Sequence, residues 1–201
     1  MDNFAKTFKV FKNNYKPIPL EAFGADPYKT LISVLLSSRT LDSTTYQAAA
    51  RLFEMAPSLK TLGQLDVKSI QKLIYPVGFY KTKARQLKKL TRIISTEFGG
   101  KIPDDRDNLI RLPGVGRKTA NLVLNRAFGK PAIAVDTHLH QISNLLGWVK
   151  TKTPEQTEKK LEEILPRKYW PDVNRIFVSI GQQYRGSKLN QFLKINKLLN
   201  K

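Results

Sequence analysis

Apolar residues recur at helical spacing along nearly the whole chain. Phe4, Phe8 and Phe11, four and three residues apart, predict a short first helix that ends before Pro17-Ile18-Pro19. Lysines between these phenylalanines would suit a helix lying on a membrane surface, but the polar face is short and mixed, which favours a packed helix. Asp26-Pro27 reads as an N-cap followed by proline at the first helical position. Behind it Leu31, Ile32, Val34, Leu35 and Leu36 are apolar nearly all round, the pattern of a central buried helix. Ser37 to Asp42 interrupts that helix, and Asp42 or Ser43 is the expected cap of the next, which carries Ala48, Ala49, Leu52 and Phe53. Leu59 to Leu65 reads as a connecting segment, Val67 to Ile74 as a short helix, and Pro76-Val77-Gly78-Phe79-Tyr80 as a turn. From Thr82 a long basic helix keeps Leu87, Leu90, Ile93 and Ile94 inside. Lys81, Lys83, Arg85, Lys88, Lys89 and Arg92 lie elsewhere around it, and Gly99-Gly100 stops it.

Asp104 to Arg111 forms a short helix leading into Leu112-Pro113-Gly114-Val115-Gly116. Pro-Gly-Val-Gly cannot continue a helix, because proline lacks an N–H and each glycine permits positive φ. Ala120, Val123, Leu124 and Ala127 then resume the helical stripe. Ala132 to Val135 is apolar but too short for a strand, and Asp136 begins a helix running to about Leu146. Pro154 opens a helix through Leu165, with Glu155, Glu158, Glu162 and Glu163 near its N-terminal and exposed positions. Segments from Val173 to Tyr184 and from Leu189 to Leu199 complete the series. Roughly ten helices and no convincing sheet predict an all-α protein. No internal repeat or long linker separates independent domains.

Charge changes this picture most. Among 201 residues, 35 Lys+Arg face 16 Asp+Glu, a net charge of +19. Such a field favours a polyanionic partner, nucleic acid first and an anionic membrane surface second. The chain has no cysteine, which excludes disulfides, thiolate zinc sites and cysteine-held iron–sulfur clusters. No run approaches the ~20 apolar residues of a membrane span. Met1-Asp2-Asn3-Phe4 lacks the basic start and apolar core of a signal peptide. The expectation is an intracellular, soluble protein, cytoplasmic or nucleoid-associated if the source is prokaryotic.

Candidate chemistry centres on the glycine hairpin. It delivers the chain into a helix N-terminus, where unpaired N–H groups and the positive dipole end face an anion. Lys118 sits in that helix's first turn, a poor place for a cation without a task. The helix from about Arg117 to Phe128 rises roughly 18 Å, and the return from Gly129 to Asp136 spans up to about 26 Å. Asp136 can therefore come back beside the N-terminal end. An amine attacks only when neutral, and the helix end, cations such as Arg117 and partial burial all act in that direction. Asp136 acts against it, so its better role is electrostatic, stabilising positive charge that develops on a sugar as a base departs. The competing reading is that Asp136 caps its helix with Thr137 while Lys118 touches a phosphate. The residues themselves leave both open.

Leu112-Pro113-Gly114-Val115-Gly116-Arg117-Lys118-Thr119-Ala120-Asn121, followed by Ile133-Ala134-Val135-Asp136-Thr137-His138, resembles the helix–hairpin–helix and catalytic segment of endonuclease III-type DNA glycosylases. The likeness extends to Leu35-Leu36-Ser37-Ser38-Arg39-Thr40-Leu41-Asp42 and to Val77-Gly78-Phe79-Tyr80-Lys81-Thr82-Lys83-Ala84, and so covers residues 25 to 183. The resemblance implies two helical lobes, residues 22–130 with the hairpin and residues 1–21 plus 131–201, with DNA bound in the cleft between them. It implies flipping of a damaged nucleotide, with Lys118 as nucleophile and Asp136 as its carboxylate partner, then β-elimination that nicks the strand. Gly114, Val115, Gly116, Arg117 and His138 become DNA-contacting residues. Carbonyls of Leu112 and Val115 are placed for a monovalent cation, with no other metal or cofactor. Phe79 becomes a wedge inserted into the base stack. Arg39 stands where many relatives have glutamine, filling the gap left by the flipped base, which leaves opposite-base preference open. His138 and His140 alternate on their helix, share no face and suit packing or phosphate contacts rather than a metal.

Family members commonly carry four cysteines after a segment like Gly181-Gln182-Gln183. Here Tyr184-Arg185-Gly186-Ser187 follows, then a basic tail with Lys188, Lys194, Lys197 and Lys201. Phe192, Ile195, Leu198 and Leu199 are expected to pack that tail as a helix where a cluster loop would lie. The resemblance thus implies a monomeric glycosylase/AP lyase acting on oxidised pyrimidines in double-stranded DNA containing damaged bases or abasic sites. The alternatives are the same scaffold acting on mismatched, alkylated or oxidised purine bases, and a non-catalytic DNA-binding protein.

Overall fold

The computed structural model describes residues 3–199. Met1, Asp2, Asn200 and Lys201, the last read above as part of the basic tail, lie outside the described residues. In chain order the elements are α1 (Asn3–Asn13), a 3-10 turn (Pro19–Phe23), α2 (Pro27–Ser37), α3 (Asp42–Met55) and α4 (Leu59–Gln64). Then come α5 (Val67–Ile74), α6 (Tyr80–Glu97), α7 (Arg106–Ile110), α8 (Arg117–Phe128) and α9 (Thr137–Leu145). The last are α10 (Pro154–Ile164), a 3-10 turn (Arg167–Tyr169), α11 (Trp170–Gln183) and α12 (Ser187–Ile195). The described residues contain no strand and no helix long and apolar enough to cross a membrane.

The chain divides into two compact units, Pro19–Lys130 and Met1–Ile18 with Pro131–Lys201. In the first, α2 buries every residue from Thr30 to Leu36 and packs against α3, α6 and α8. Asp26 caps it through a 2.7 Å bond from the Lys29 N–H, with Pro27 at the first helical position. Leu31, Ile32, Leu36, Leu52, Ile74, Leu87, Leu90 and Ile94 are withdrawn from solvent. Truncating one such leucine to alanine costs about 2–5 kcal/mol through lost transfer energy and the cavity left behind.

The second unit is built on aromatic packing. Phe8 stacks on Tyr169 with ring centres 4.2 Å apart, and Phe11 meets Phe177 edge-on at 5.0 Å. Phe8 and Phe11 are buried, so α1 is a packed helix rather than a membrane-surface one. Helix α11 packs against α1 and α9, and the Trp170 indole N–H donates to Leu165 O at 2.8 Å.

Four local expectations need correction. Leu59 to Leu65 is not a plain connection: Ser58 and Thr61 form a reciprocal capping box that starts α4. The cap position of α3 is Leu41, with no side-chain bond, and Asp42 is instead the first helical residue, where its charge favours the helix end. Helix α11 begins at Trp170, ahead of Val173, because Pro171 suits a first turn. In the tail, α12 ends at Ile195, which is 70% exposed. Phe192 and Leu198 are buried as expected, joined by Leu189 and Leu193, so only Ile195 departs, and Phe192 stacks on Tyr184 at 4.3 Å.

Candidate active site

The hairpin between α7 and α8 is a tight turn set by two residues. Pro113 and Gly114 occupy its centre, Gly114 has φ +81°, and the Val115 N–H donates to Leu112 O at 3.0 Å. Proline followed by a positive-φ glycine is the combination that a type II turn requires. Gly114 also lies close to α6, since a Cβ there would come 2.9 Å from Gln86 Oε1 and 3.3 Å from Leu35 Cδ2. Leu112 and Val115 bury their side chains and anchor the turn, while Gly114 and Gly116 stay exposed. Val115 is therefore a weaker candidate for phosphate contact than its neighbours, because its N–H is already engaged. The Leu112 carbonyl keeps one lone pair beyond that bond.

Helix α8 opens on Gly116, with no side-chain cap. The first-turn N–H groups of Lys118 and Thr119 consequently lack a capping acceptor. Lys118 is the second residue of the helix and is exposed, as is Arg117. The partial burial expected of Lys118 is absent, since flanking Gly114 and Gly116 have no side chains to cover it. A cation in this position opposes the helix dipole, an arrangement that stability does not favour.

In the other unit, Asp136 is the N-cap of α9. Its Oδ1 accepts the Leu139 N–H at 2.8 Å, and the side chain is half-buried. The capping role therefore exists and occupies one carboxylate oxygen. The approach to it is fixed: Ala132, Ile133, Ala134 and Val135 are buried, and Asn174 Nδ2 donates to Ala134 O at 2.8 Å. His138 packs on α11, where a Cβ at Gly181 would lie 2.2 Å from His138 Nδ1. Only glycine at 181 leaves room for that ring. His140 Nδ1 lies 2.6 Å from Thr157 Oγ1, and Thr157 in turn reaches Thr151 Oγ1 at 2.5 Å. His140 thus belongs to a packing network. Among the described residues no cluster of three or more His, Cys, Asp or Glu could hold a metal ion.

Arg39 and Phe79 are brought together within the first unit. Both carry non-glycine backbones at positive φ, +52° and +57°, and the Arg39 guanidinium lies 5.5 Å from the centre of the Phe79 ring. Phe79 is 61% exposed and is not part of the core. Gly78 permits the approach, because a Cβ there would fall 2.5 Å from Arg39 O. Together with Ser38, Lys83, Gln86 and Gly114 they line an open pocket of about 290 Å³.

Lys83 is the functional candidate that sequence reasoning missed. It is 8% exposed, and its Nζ donates to Leu36 O at 2.8 Å, Ser38 O at 2.6 Å and Thr40 Oγ1 at 3.4 Å. These are the orphan carbonyls at the end of α2 and a hydroxyl beyond it, so a single ammonium ties the Arg39 loop to α6. Burial pushes the Lys83 ammonium down to about 8. A signal was present: positions 83, 87, 90 and 94 form one helical stripe, and a lysine in line with Leu87, Leu90 and Ile94 breaks it.

Residues 32–167 match the family described as HhH-GPD superfamily base excision DNA repair protein. The endonuclease III of Thermotoga maritima is 43% identical over 175 residues, 87% of this chain and 79% of that protein. The endonuclease III-like protein 1 of Gallus gallus is 42% identical over 159 residues, 78% of this chain and 57% of that longer protein. A solved structure described as a trapped endonuclease III–DNA covalent intermediate superposes with a TM-score of 0.75 at 36% identity, covering 79% of this chain and 75% of that one. With a hairpin of this geometry and a family match over more than half its length, the chain belongs to the HhH-GPD superfamily of base excision DNA repair proteins.

Proposed function

We propose that this chain is a DNA glycosylase with AP lyase activity, acting on oxidised pyrimidines in duplex DNA. The observation that carries the reading is Lys118, exposed in the first turn of an uncapped helix behind a glycine hairpin, in a member of this family. N–H groups of Gly114 and Gly116, with the Arg117 guanidinium, hold a DNA phosphate against the positive helix end. The second lone pair of Leu112 O and the Val115 carbonyl offer oxygen ligands to a monovalent cation beside it. Phe79 enters the base stack and Arg39 fills the vacated space, which compensates for part of the cost of flipping the target nucleotide. With His138 packed against Gly181, any phosphate contact it makes uses the exposed part of the ring.

Lys118 Nζ then attacks the anomeric carbon, forming a C–N bond as the glycosidic bond breaks and its electron pair leaves with the base. Loss of the amine proton and opening of the sugar give a Schiff base. Removal of a C2′ proton drives elimination of the 3′ phosphate and nicks the strand. The free oxygen of Asp136 stabilises the positive charge that develops on the sugar, while its capped oxygen holds the carboxylate in place. With no cysteine in the chain, none of this relies on a cysteine-held iron–sulfur cluster. The protein acts as a monomer inside the cell, where damaged DNA is found.

The test is borohydride trapping on duplexes carrying an abasic site or thymine glycol. A covalent adduct with the wild type and none with Lys118→Ala is expected. Absence of a wild-type adduct, or an undiminished one in the variant, refutes the lyase assignment. Running the same assay over mismatched, alkylated and oxidised purine lesions tests the substrate class.

A further inference from the structure

A groove of about 910 Å³ runs along α6 between that helix and α4–α5. Five cations line it, Lys60, Arg85, Lys88, Lys89 and Arg92, and no carboxylate does. Lys88 fixes its floor, because its Nζ donates to Gly63 O at 2.6 Å and Leu65 O at 2.8 Å. Lys60, Lys89 and Arg92 are exposed and enter no ion pair among the described residues. Elsewhere in the same unit cations are matched, as in Arg111–Glu97 and Lys130–Asp104, both 2.6 Å.

Helix stability does not explain this arrangement. Arg85–Lys89 and Lys88–Arg92 are like-charge neighbours at i, i+4, and Arg85–Lys88 and Lys89–Arg92 at i, i+3, all of which destabilise a helix. The only acidic residue of α6 is Glu97 at its last position, and no basic residue occupies the last turn, where the dipole would favour one. The groove also faces away from the probing pocket. At 3.6 residues per turn, the mean direction of positions 85, 88, 89 and 92 lies roughly 120° from that of positions 82, 83 and 86, which line the pocket of Arg39, Phe79 and Gly114.

We propose that this groove is a second DNA-binding surface, holding the sugar–phosphate backbone of a duplex segment other than the one probed by the hairpin and Arg39–Phe79. The proposal rests on the glycosylase reading above. From Arg85 to Arg92 is about 10 Å along the helix, matching roughly three nucleotides of one strand. Concave walls of one sign concentrate the field on a polyanion, and a phosphate backbone relieves the repulsion that the helix otherwise bears. Leu59 and Val67 are the apolar side chains of the lining, the first buried and the second half-buried, and the five cations around them with no carboxylate suit a phosphate chain. Engagement of a second segment keeps the enzyme on long DNA between lesions without touching the chemistry.

The test compares wild type with Arg85→Glu/Lys89→Glu/Arg92→Glu and with the milder Lys89→Gln/Arg92→Gln, each checked for wild-type circular dichroism. The probes are a duplex of about 15 base pairs with one abasic site and a long duplex with several. Single-turnover nicking of the short duplex is expected to stay within about twofold. For undamaged long DNA, the slope of log K against log salt should fall by about three in the triple variant. The number of abasic sites nicked per encounter should fall with it. An unchanged slope and unchanged processivity overturn the proposal. Equal losses on the short duplex overturn it too, since the groove would then belong to the primary site. If a polyglutamate peptide binds wild type and not the variants while the DNA slope is unchanged, the groove is a protein-docking surface and the proposal fails. A wild type that nicks neither probe counts against the glycosylase reading alone, because the salt slope is measured on undamaged DNA.

Discussion

Replacing Lys83 with methionine separates the energetics of the probing loop from those of the fold. Methionine has nearly the same length and lacks the charge, so the cavity term is small. The variant deprives Leu36 O and Ser38 O of their shared donor. Leaving the buried Leu36 O unsatisfied costs about 1–3 kcal/mol, whereas Ser38 O belongs to an exposed residue and is open to water. Opposing this, the wild type buries an ammonium whose pKa falls from 10.5 to about 8, a cost of about 3 kcal/mol at neutral pH. The two terms nearly cancel, and the variant is expected to lie within about 1–2 kcal/mol of wild type at pH 7.

The pH dependence carries the sharper signature. Because the folded pKa is depressed, the unfolded chain holds more protons between about 8 and 10.5, and wild-type stability rises with pH through that window. Relative to Lys83→Met, the wild type should gain about 2 kcal/mol between pH 7 and pH 9.5. Urea unfolding of both proteins at pH 7, 8, 9 and 9.5 measures it, and taking the difference between them removes every other titrating group. A difference that stays flat across the series refutes the buried, charged assignment. In activity, the variant should nick a duplex abasic site about tenfold more slowly, equivalent to about 1.4 kcal/mol. Trapping on a single-stranded abasic site should be unaffected, because no stack is probed there. Equal losses on both substrates mean that Lys83 does not act through Arg39 and Phe79.

Asp136→Asn retains a capping side chain, so thermal stability should shift by only a few tenths of a kcal/mol. The adduct rate should fall by about 10²–10³ if the carboxylate stabilises charge; an unchanged rate returns Asp136 to capping alone. Gly181→Ala should lower stability by about 1–3 kcal/mol in thermal melts, because a methyl group 2.2 Å from His138 Nδ1 forces the ring aside; a neutral result means that α11 shifts freely. Asn174→Leu should cost about 1–3 kcal/mol by orphaning Ala134 O and should slow trapping through the loosened approach to Asp136. Full activity in a destabilised variant would sink the second half of that expectation.

Much of the fold was legible because its signals are local. Asp26-Pro27 announces α2, Pro113-Gly114 announces the hairpin turn, and the apolar stripes of α6 and α8 set their buried faces. The misjudged elements depend on weaker or nonlocal terms. Helix α4 rests on a serine–threonine capping box rather than the stronger acidic form, and the exposed Ile195 reflects where α12 meets its core, which no spacing rule fixes alone. In the candidate site, Lys118 and Asp136 stood out because each sits badly or specially at a helix start. The Lys83 contacts run 43 to 47 residues along the chain to Leu36, Ser38 and Thr40, and such a join appears only in three dimensions.

The departures from local rules share a direction. Lys118 opposes the dipole of an uncapped helix, and Phe79 holds an exposed ring on a left-handed backbone. Lys83 interrupts an apolar stripe, and α6 accumulates like charges on one face. Lys118 and the like charges of α6 sit where a polyanion would restore the loss, and Phe79 where an unstacked base would, while Lys83 holds the loop that carries Arg39. Conflicts between local preference and fold that lack such a partner are expected to be rare in a sequence that folds to one state. All four occur within the unit Pro19–Lys130, as the DNA contacts proposed for that unit require, and net charge alone does not account for them, since a charge of +19 spread evenly would leave helix rules intact.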